Sequence, residues 1–372
     1  MGIRFEVIYD DNPLGIYYAG QIVRGRAIIH LEESMTVKGV KLRMRGYAKV
    51  RWDEHAVPSD SKNTPVIGSY YRSDEERFFE NTTDCIHAKE CISDLPAGTH
   101  TYTFECPLPP MCPSTFEGTY GRIRYDIKII VERPLLFNKS HSMELNVLQP
   151  LDLNRLPVLR IPAKMEVLKY FCCGPCISKP LVLSLGIPQT GYVPGELVHF
   201  IVKVVNHSKI MVRQVRLVLN LVALYSEIRR KETWTEKIPI VKKEFGPFET
   251  DDFEIKDTIR VPPTPITSEE HCKVIKITYE IEVTANYNGA HKSSNVSIPI
   301  TIGNVPFIAN LNGISEDTVI SILKNRISTG RHINLNFEMP SPSYKKALYV
   351  KSLKPTILKE TSFIPRYPFY KY

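Results

Sequence analysis

The stretch VKLRMR, residues 40–45, alternates apolar and basic side chains, and QVRLVL, residues 214–219, shows a similar alternation further along the chain. A period of two places one side of a β-strand on a core and the other side in water. We therefore predict that both stretches are strands, each with one buried face.

These two strands belong to a longer pattern that occurs twice. The pattern from Tyr18 to Met44 returns from Tyr192 to Leu219. One offset of 175 residues relates Gly20, Val40, Leu42 and Met44 to Gly195, Val215, Leu217 and Leu219. A repeat of this length exceeds the period of about 20 to 50 residues found in solenoids and propellers. The chain is therefore predicted to contain a duplicated domain.

A second pair of anchors supports the duplication. The proline-rich CPLPPMCP (106–113) precedes RYDIKI (124–129), and VPPTP (261–265) precedes TYEIEV (278–283). The interval from the anchor glycine to the tyrosine of these strands is 105 residues in the first copy and 84 in the second. We expect the two tyrosines on equivalent strands, and the roughly 21 additional residues of the first copy within the polar stretch 53–99.

Similar runs recur between clusters of Gly, Pro, Asn and Asp, which supply turn geometry. They occupy residues 5–9, 23–31, 102–106, 123–131, 181–185, 198–205 and 296–302. No amphipathic helix of three turns is predicted before residue 310, and the 28 prolines fit strand edges and turns better than helix interiors. The predicted fold is all-β, with two tandem antiparallel β-sandwiches.

The predicted domain boundaries follow the repeat. A first sandwich covers residues 1–150, a linker with a cysteine cluster covers 151–180, a second sandwich covers 181–305 and a tail covers 306–372. Each sandwich is long enough to bury a core of its own.

Composition narrows the class of protein. Hydrophobic residues make up 43% and charged residues 24%, as in ordinary globular proteins, and no apolar run reaches the roughly 18 to 20 residues that span a bilayer. The start, MGIRFE (1–6), has the pattern of a charged strand and not of a secretory signal. We therefore expect a cytoplasmic protein whose eight cysteines are reduced. No motif typical of nucleic-acid readers occurs, so we expect no nucleic-acid partner.

Several longer motifs fall in one order along the chain. They are LPPMCPSTFEGTYGRIRYDIKIIVERP (108–134), DLNRLP (152–157), KYFCCGPC (169–176), GYVPGELV (191–198), VVNHS (204–208) and IPITIGNVP (298–306). In these motifs and their order, the sequence resembles the arrestin-domain-containing proteins, the α-arrestins, over both repeats and the linker. The resemblance implies N-terminal and C-terminal arrestin domains in a cytosolic protein that binds cargo. It also implies recruitment of WW-domain ubiquitin ligases through Pro-Pro-x-Tyr motifs in the tail.

The tail departs from that family pattern. No Pro-Pro-x-Tyr occurs, and the nearest approximations are SPSY (341–344) and IPRY (364–367). A WW groove grips two prolines of a polyproline II helix, so loss of the first proline weakens the contact. We predict two degenerate WW-ligand motifs with weak or indirect ligase recruitment, formed by Pro342 with Tyr344 and by Pro365 with Tyr367. The alternative is a flexible polar tail that only closes the chain.

The run CGPC (173–176) has the C-x-x-C pattern of a thioredoxin active site. That chemistry requires a strand before the motif and a helix after it, whereas an alternating strand is predicted to follow here. A thiol-disulfide oxidoreductase is therefore only an alternative hypothesis. Two other interpretations stay open: Cys172, Cys173 and Cys176 are S-palmitoylated beside a membrane, which gives peripheral association, or they form a packed, reduced cluster.

Further cysteines and histidines crowd the first repeat, namely Cys85, His87, Cys91, His100, Cys106 and Cys112. No pair of cysteines among them has the close spacing typical of zinc sites, so core packing is predicted and no metal site. No G-x-S-x-G nucleophile elbow and no Gly-rich phosphate loop occur. We therefore predict no cofactor and no enzymatic activity.

Basic residues alternate along two strands of the first repeat. If Val23, Ala27 and Ile29 face the core, the outward residues are Arg24 and Arg26 on that strand and Lys41, Arg43, Arg45, Lys49 and Arg51 on the next. Should the two strands be neighbours, one face carries seven cations and suits phosphorylated cargo tails or phosphoinositides. The alternative is a solvated strand face that is partly neutralised by Glu32, Glu33, Asp53 and Glu54.

The leading hypothesis is a non-enzymatic adaptor that binds cytoplasmic parts of membrane proteins and directs their endocytic trafficking or ubiquitination. Its expected location is the cytoplasm, with association at the plasma membrane or endosomes. The oxidoreductase alternative depends only on the CGPC run. A third class, an extracellular adhesive sandwich, would require a signal peptide and disulfides.

Overall fold

The computed structural model describes residues 2–10, 12–54, 70–87, 93–173, 176–177, 179–208, 210–248, 250–308, 341–353 and 363–371. Its regular structure is almost entirely β-strand, as the sequence predicts. The helical elements of these residues are 3₁₀ turns at Leu153–Arg155, Pro157–Arg160 and Leu348–Ser352. No helix in this part of the chain is long and apolar enough to cross a membrane.

The first half of the chain forms two facing sheets. Its strands are β1 (Ile3–Tyr9), β2 (Ile16–Tyr18), β3 (Ile22–Leu31), β4 (Met35–Val37), β5 (Gly39–Glu54), β6 (Tyr70–His87), β7 (Ser93–Leu95), β8 (Gly98–Pro107), β9 (Phe116–Glu117), β10 (Gly121–Glu132) and β11 (Lys139–Leu148). One sheet has the order β1-β3-β8, and the other has the order β2-β11-β10-β5-β6 with β9 paired to β10. Val23 on β3 and Leu42 on β5 are both buried in the core of this sandwich.

The second half repeats the arrangement. Its strands are β12 (Ala163–Lys169), β13 (Cys172–Cys173), β14 (Cys176–Ile177), β15 (Leu181–Ile187), β16 (Gly191–Tyr192), β17 (Leu197–Asn206), β18 (Val212–Glu227), β19 (Glu232–Phe245), β20 (Phe253–Arg260), β21 (Ile275–Tyr287) and β22 (Ser294–Ile302). One sheet has the order β12-β15-β17-β20 and the other β16-β22-β21-β18-β19. The larger sheets of the two halves thus share one strand order, including a parallel outer pair in each.

Two tyrosines occupy the same place in the two sheets. Tyr125 lies on β10, between β11 and β5. Tyr279 lies on β21, between the equivalent strands β22 and β18. The Tyr125 hydroxyl donates to the carbonyl of Pro113 at 2.7 Å, and the Tyr279 hydroxyl donates to the carbonyl of Pro265 at 2.6 Å. Each tyrosine therefore ties its strand to the proline-rich segment that precedes it, and the prediction of equivalent strands is confirmed.

The longer first copy is explained by one connection. Residues 55–97, 43 in number, separate β5 from β8, whereas residues 228–252, 25 in number, separate the equivalent β18 from β20. The difference of 18 residues accounts for most of the predicted excess. Residues 55–69 and 88–92 of this connection lie outside the described part of the chain.

Candidate functional site

The last described segments of the chain lie where the two sandwiches meet. β23 (Ser343–Lys346) pairs antiparallel with β24 (Arg366–Phe369), and the backbone N–H of Ala347 donates to the carbonyl of Pro365 at 2.9 Å. The 3₁₀ turn Leu348–Ser352 follows β23. We call residues 341–353 and 363–371 together the tail hairpin.

Tyr367 binds the tail hairpin to the first sandwich. Its side chain is buried, and its hydroxyl donates to the carbonyl of Thr115 at 2.8 Å. Burial in these surroundings raises the pKa of Tyr367 well above its usual value, so the phenol stays a neutral donor. The phenol is therefore a hydrogen-bond donor at neutral pH.

Asn146 on β11 makes a second connection. Its amide nitrogen donates to the carbonyl of Arg366 at 2.8 Å, and its amide oxygen accepts from the backbone N–H of Arg366 at 2.9 Å. A side-chain amide that bonds both polar groups of one residue imitates a β-ladder. This contact therefore fixes the position of β24 along β11.

Tyr370 connects the same hairpin to the second sandwich. Its backbone N–H donates to the carbonyl of Pro194 at 2.9 Å, and its hydroxyl donates to the carbonyl of Asn304 at 2.7 Å. Beside it lies Gly195, whose φ of +103° is unfavourable for residues with a Cβ. A methyl group at this position would also overlap the backbone of Tyr370. Glycine therefore permits both the turn and the approach of the tail.

Tyr349 of the tail hairpin meets both sandwiches at one point. Burial raises the pKa of its phenol, and the charges of Glu117 from the first sandwich and Glu236 from the second raise it further. Glu236 also accepts the hydroxyl of Tyr225 at 2.8 Å. Three parts of the chain that are distant in sequence thus share one polar cluster, in which Glu117, Tyr225 and Tyr349 are buried and Glu236 is partly buried.

A buried ion pair stands on the first-sandwich side of this cluster. Arg124 donates through Nε to Oε1 of Glu117 at 2.6 Å and through Nη2 to Oε2 at 3.1 Å, and both side chains are less than a tenth exposed. Burial raises the pKa of the Glu117 carboxyl, and the guanidinium opposes that shift. Arg124 also lies 3.7 Å from the carboxylate of Glu144, so removal of Glu117 would leave the buried guanidinium with a more distant partner and would lower stability.

Aromatic rings also join the sandwiches directly. The ring of Tyr120, before β10, packs edge-on against Tyr225 and Trp234 with centroid distances of 6.0 Å and 5.7 Å. A Cβ on Gly121 would come within 2.8 Å of the Tyr225 ring. The glycine therefore allows β10 and β18 to approach each other here.

The strand β6 extends the junction with three alternate polar residues. Arg72 pairs with Glu232 at 2.7 Å. The carboxylate of Asp74 accepts the backbone N–H of Ile228 at 2.9 Å, and that of Glu76 accepts the backbone N–H of Lys273 at 2.6 Å. Alternate residues of a strand point to one side, so this side of β6 faces the second sandwich.

Cys272 is buried in the same contact, with its Sγ 3.4 Å from Oε2 of Glu76. Burial, assisted by the Glu76 charge, raises the pKa of the thiol to about 12. Because the thiolate is the reactive form of cysteine, Cys272 should be inert while the two sandwiches are in contact.

The predicted face of seven cations does not form. β3 lies in the sheet β1-β3-β8 and β5 lies in the other sheet, with the core between them. The outward residues of the two strands therefore lie on opposite outer surfaces of the sandwich, and the prediction of one face is wrong.

Five of those cations are also paired with carboxylates of neighbouring strands. The pairs are Arg24 with Glu105 at 3.1 Å, Arg26 with Asp10 at 3.6 Å, Lys41 with Glu132 at 2.8 Å, Arg43 with Glu80 at 3.9 Å and Arg45 with Asp126 at 2.9 Å. Partial neutralisation, the alternative interpretation, thus has support at these five cations, although the carboxylates in these pairs differ from the predicted ones. Anion binding by the cations of β3, or by those of β5, stays a prediction.

In the CGPC run, Cys173 on β13 pairs with Cys176 on β14. Strands β14 and β15 follow the motif, where a thioredoxin site would need a helix. This arrangement contradicts the oxidoreductase alternative. The side chains of Cys172, Cys173 and Cys176 lie outside the described part of the structure, so their acylation stays a prediction.

The cysteines of the first repeat have varied surroundings. Cys106 and Cys112 are buried and Cys85 is partly buried, and burial raises the pKa of Cys85 and of Cys112 to about 11. Cys91 and the side chain of His87 lie outside the described residues. Within those residues, no group of three or more His, Cys, Asp or Glu side chains is placed to hold a metal ion.

Both degenerate WW-ligand motifs are part of the tail hairpin. Pro342 precedes β23, where Tyr344 lies opposite Pro368 with its hydroxyl 3.4 Å from that of Tyr18. Pro365 and Tyr367 are buried. The alternative of a flexible polar tail is therefore wrong for the described residues of the tail hairpin, because their aromatic side chains pack between the sandwiches.

Sequence reasoning missed most of this junction. Glu117, Arg124, Tyr349 and Tyr370 belong to no functional motif, and the tail is interpreted from its sequence only through the two degenerate WW-ligand motifs. One signal was available, because FIPRYPFY (363–370) contains four aromatic residues, an apolar density that a solvated segment does not need.

Comparison with known proteins agrees with this architecture. Residues 5–154 match the family model of the arrestin (or S-antigen) N-terminal domain, and residues 178–307 match that of the C-terminal domain. Proteins with these domains are generally adaptors that bind other proteins.

Relatives that match more than four fifths of the chain are named for the arrestin domain. Arrestin domain-containing protein 17 of Caenorhabditis elegans is 29% identical over 329 residues, which cover 86% of this chain and 74% of that protein. Arrestin domain-containing protein 4 of Mus musculus is 27% identical over 313 residues, covering 81% and 72%. With both domain models matched in order and the two sandwiches in place, the chain belongs to the arrestin-domain-containing proteins of the α-arrestin type.

Proposed function

We propose that this protein is a non-enzymatic adaptor that binds cytoplasmic segments of membrane proteins and directs their endocytic trafficking or ubiquitination. The observation that carries the proposal is the joining of two arrestin sandwiches by the tail hairpin, through Tyr367 on one side and Tyr370 on the other. A scaffold needs surfaces held in a fixed relation, and these contacts supply it. The proposed location is the cytoplasm, at the plasma membrane or endosomes.

Proximity labelling in cells tests the adaptor proposal. The chain is fused to a biotin ligase, and a freely diffusing ligase is the control. We expect integral membrane proteins among the enriched partners, and a change in their surface amount when the protein is depleted. Enrichment of no integral membrane protein, or unchanged surface amounts of those enriched, would contradict the proposal.

Ligase recruitment in this proposal is weak or indirect. SPSY (341–344) lacks the first proline, and its tyrosine lies in β23, paired to β24. In IPRY (364–367) both the proline and the tyrosine are buried. A WW groove needs an extended, accessible polyproline II segment, so neither motif fits it while the tail hairpin is packed.

A WW-domain binding assay distinguishes direct ligase recruitment from weak or indirect recruitment. A peptide of residues 338–347 should bind weakly, and Ser341→Pro in that peptide should tighten binding about tenfold by restoring one apolar contact. The full chain should bind less tightly than the unmodified peptide. If the full chain binds as tightly as the repaired peptide, direct recruitment is intact and the motif is not degenerate.

The linker cysteines offer a route to membrane association. The proposal is that Cys172, Cys173 or Cys176 is S-palmitoylated, since each buried methylene adds about 0.8 kcal/mol of membrane affinity. An acyl-exchange assay on the wild type and on a triple Cys→Ser variant tests it. Signal in the wild type that is lost in the variant supports acylation, and a blank assay in both rules it out.

A further inference from the structure

The turn between β10 and β11 exposes three consecutive apolar side chains. Leu135, Leu136 and Phe137 are 103%, 63% and 93% exposed. Single exposed apolar residues are common on protein surfaces, but a contiguous exposed group marks a place of interaction. We call these three residues the apolar tip.

The backbone of the apolar tip is held in an unfavourable conformation. Leu135 has a φ of +57°, which a bulky residue rarely adopts. Arg133 donates through Nε and Nη2 to the carbonyl of Phe137 at 2.9 Å and 2.6 Å, and its backbone N–H donates to Oδ1 of Asn138 at 3.3 Å. The backbone strain at Leu135 is not offset by burial of the apolar side chains, because these side chains are exposed. The strain therefore indicates that the turn has a function.

Cations lie at the base of this turn. Arg133 closes it, and the exposed Lys139 begins β11. The exposed Lys38 is beside them, because its backbone N–H donates to the carbonyl of Glu132 at 2.7 Å. The carboxylate of Glu132 is paired with Lys41 at 2.8 Å. The apolar tip has cations directly behind it. This arrangement is complementary to a membrane, whose surface phosphates are anionic and whose interior is apolar.

We propose that the apolar tip inserts into the interface of an anionic lipid bilayer. The turn exposes its apolar groups to solvent, beside exposed cations, which favours an anionic lipid surface as its partner. The Arg133 hydrogen bonds satisfy the carbonyl of Phe137, a group that would otherwise lose its water on insertion. This contact is separate from cargo binding and from acylation of the linker cysteines, so it does not depend on the adaptor proposal.

Vesicle binding by the full chain, made without lipid modification, tests the inference. The vesicles are phosphatidylcholine with and without phosphatidylserine, and no cargo is present. We expect binding to the anionic vesicles to fall about tenfold or more in Leu136→Ser/Phe137→Ser, because two apolar side chains no longer enter the bilayer. Val158→Ser/Ile161→Ser is the control, since these apolar residues are exposed, at 62% and 59%, and belong to the 3₁₀ turn Pro157–Arg160 and its C-cap, not to the apolar tip.

Two further variants locate the contact. Lys38→Gln/Lys139→Gln should weaken binding to anionic vesicles and leave binding to neutral ones unchanged. Phe137→Trp should show emission that shifts to the blue and is quenched by brominated lipid, beyond any change of the native Trp52 and Trp234. Equal binding by wild type and the double serine variant would overturn the inference, and so would vesicle-insensitive emission from the tryptophan introduced by Phe137→Trp. Loop-dependent capture of a protein without vesicle binding would overturn it too.

Discussion

The hydroxyl of Tyr367 donates a hydrogen bond of 2.8 Å to the carbonyl of Thr115, 252 residues earlier in the chain. Both groups are buried where the first sandwich meets the tail hairpin. The C-terminal segment is therefore a structural part of the junction, and changes in it should alter the stability of the whole molecule.

Tyr367→Phe should lower the free energy of unfolding by about 1 to 2 kcal/mol, because the carbonyl of Thr115 is left buried without that donor. Urea unfolding measures the loss. Tyr344→Phe is the matched control, since its hydroxyl lies 3.4 Å from that of Tyr18 and is less buried. Equal losses in the two variants would show that the Tyr367 hydrogen bond has no special weight.

Gly195→Ala should detach the end of the tail, whereas Gly20→Ala should not. Both glycines have positive φ, so each substitution should cost about 1 kcal/mol from backbone strain. Only at Gly195 would the methyl group overlap the backbone of Tyr370, whereas at Gly20 the nearest atom is 3.8 Å away. Limited proteolysis should therefore release the tail faster in the first variant alone. Similar proteolysis of both would contradict the contact.

Glu117→Gln should lower the free energy of unfolding by about 2 to 3 kcal/mol, because it removes the carboxylate nearest to the buried guanidinium of Arg124, while that of Glu144 stays 3.7 Å away. Adding Arg124→Met should recover part of the loss. Glu244→Gln, which removes an exposed partner of Lys242, should have little effect. A double variant whose loss equals the sum of the single losses would mean that the two side chains are not coupled.

Cys272 should report separation of the sandwiches. Its thiol pKa of about 12 predicts very slow alkylation at pH 8, with a rate that rises as the pH increases toward that value. A variant that ends at residue 340 should react faster at Cys272, while Cys106, inside the first sandwich, should not change. If truncation leaves Cys272 inert, the tail hairpin is not needed to keep the domains together.

The duplicated architecture could be predicted because its signals are local. Alternation in VKLRMR (40–45) and QVRLVL (214–219) identifies central strands with one face on the core. The outer strands β6 and β19 were harder to predict, because an edge strand exposes more of its side chains and its periodicity is weak. The polar β6 was therefore included in an insertion.

The sheet to which a strand belongs is not a local property. The sequence correctly placed Val23 and Leu42 toward a core, but consecutive strands of a sandwich can lie in opposite sheets, and β3 and β5 do. The junction was missed for a related reason. Glu117 and Tyr349 meet only after the complete chain has folded, and neither has a sequence pattern of its own.

The position of Tyr370 between Pro194 and Asn304 has a consequence for synthesis. A ribosome releases residues in order, so each sandwich can fold as soon as its own strands have emerged. The contacts of Tyr370 and Tyr367 with residues some 60 to 250 positions earlier form only after both sandwiches have been synthesised, and such distant contacts form slowly. A nascent chain that has not yet released residues 363–371 therefore lacks these contacts, and a stop codon before residue 363 should leave the carbonyls of Thr115 and Asn304 without their tyrosine donors.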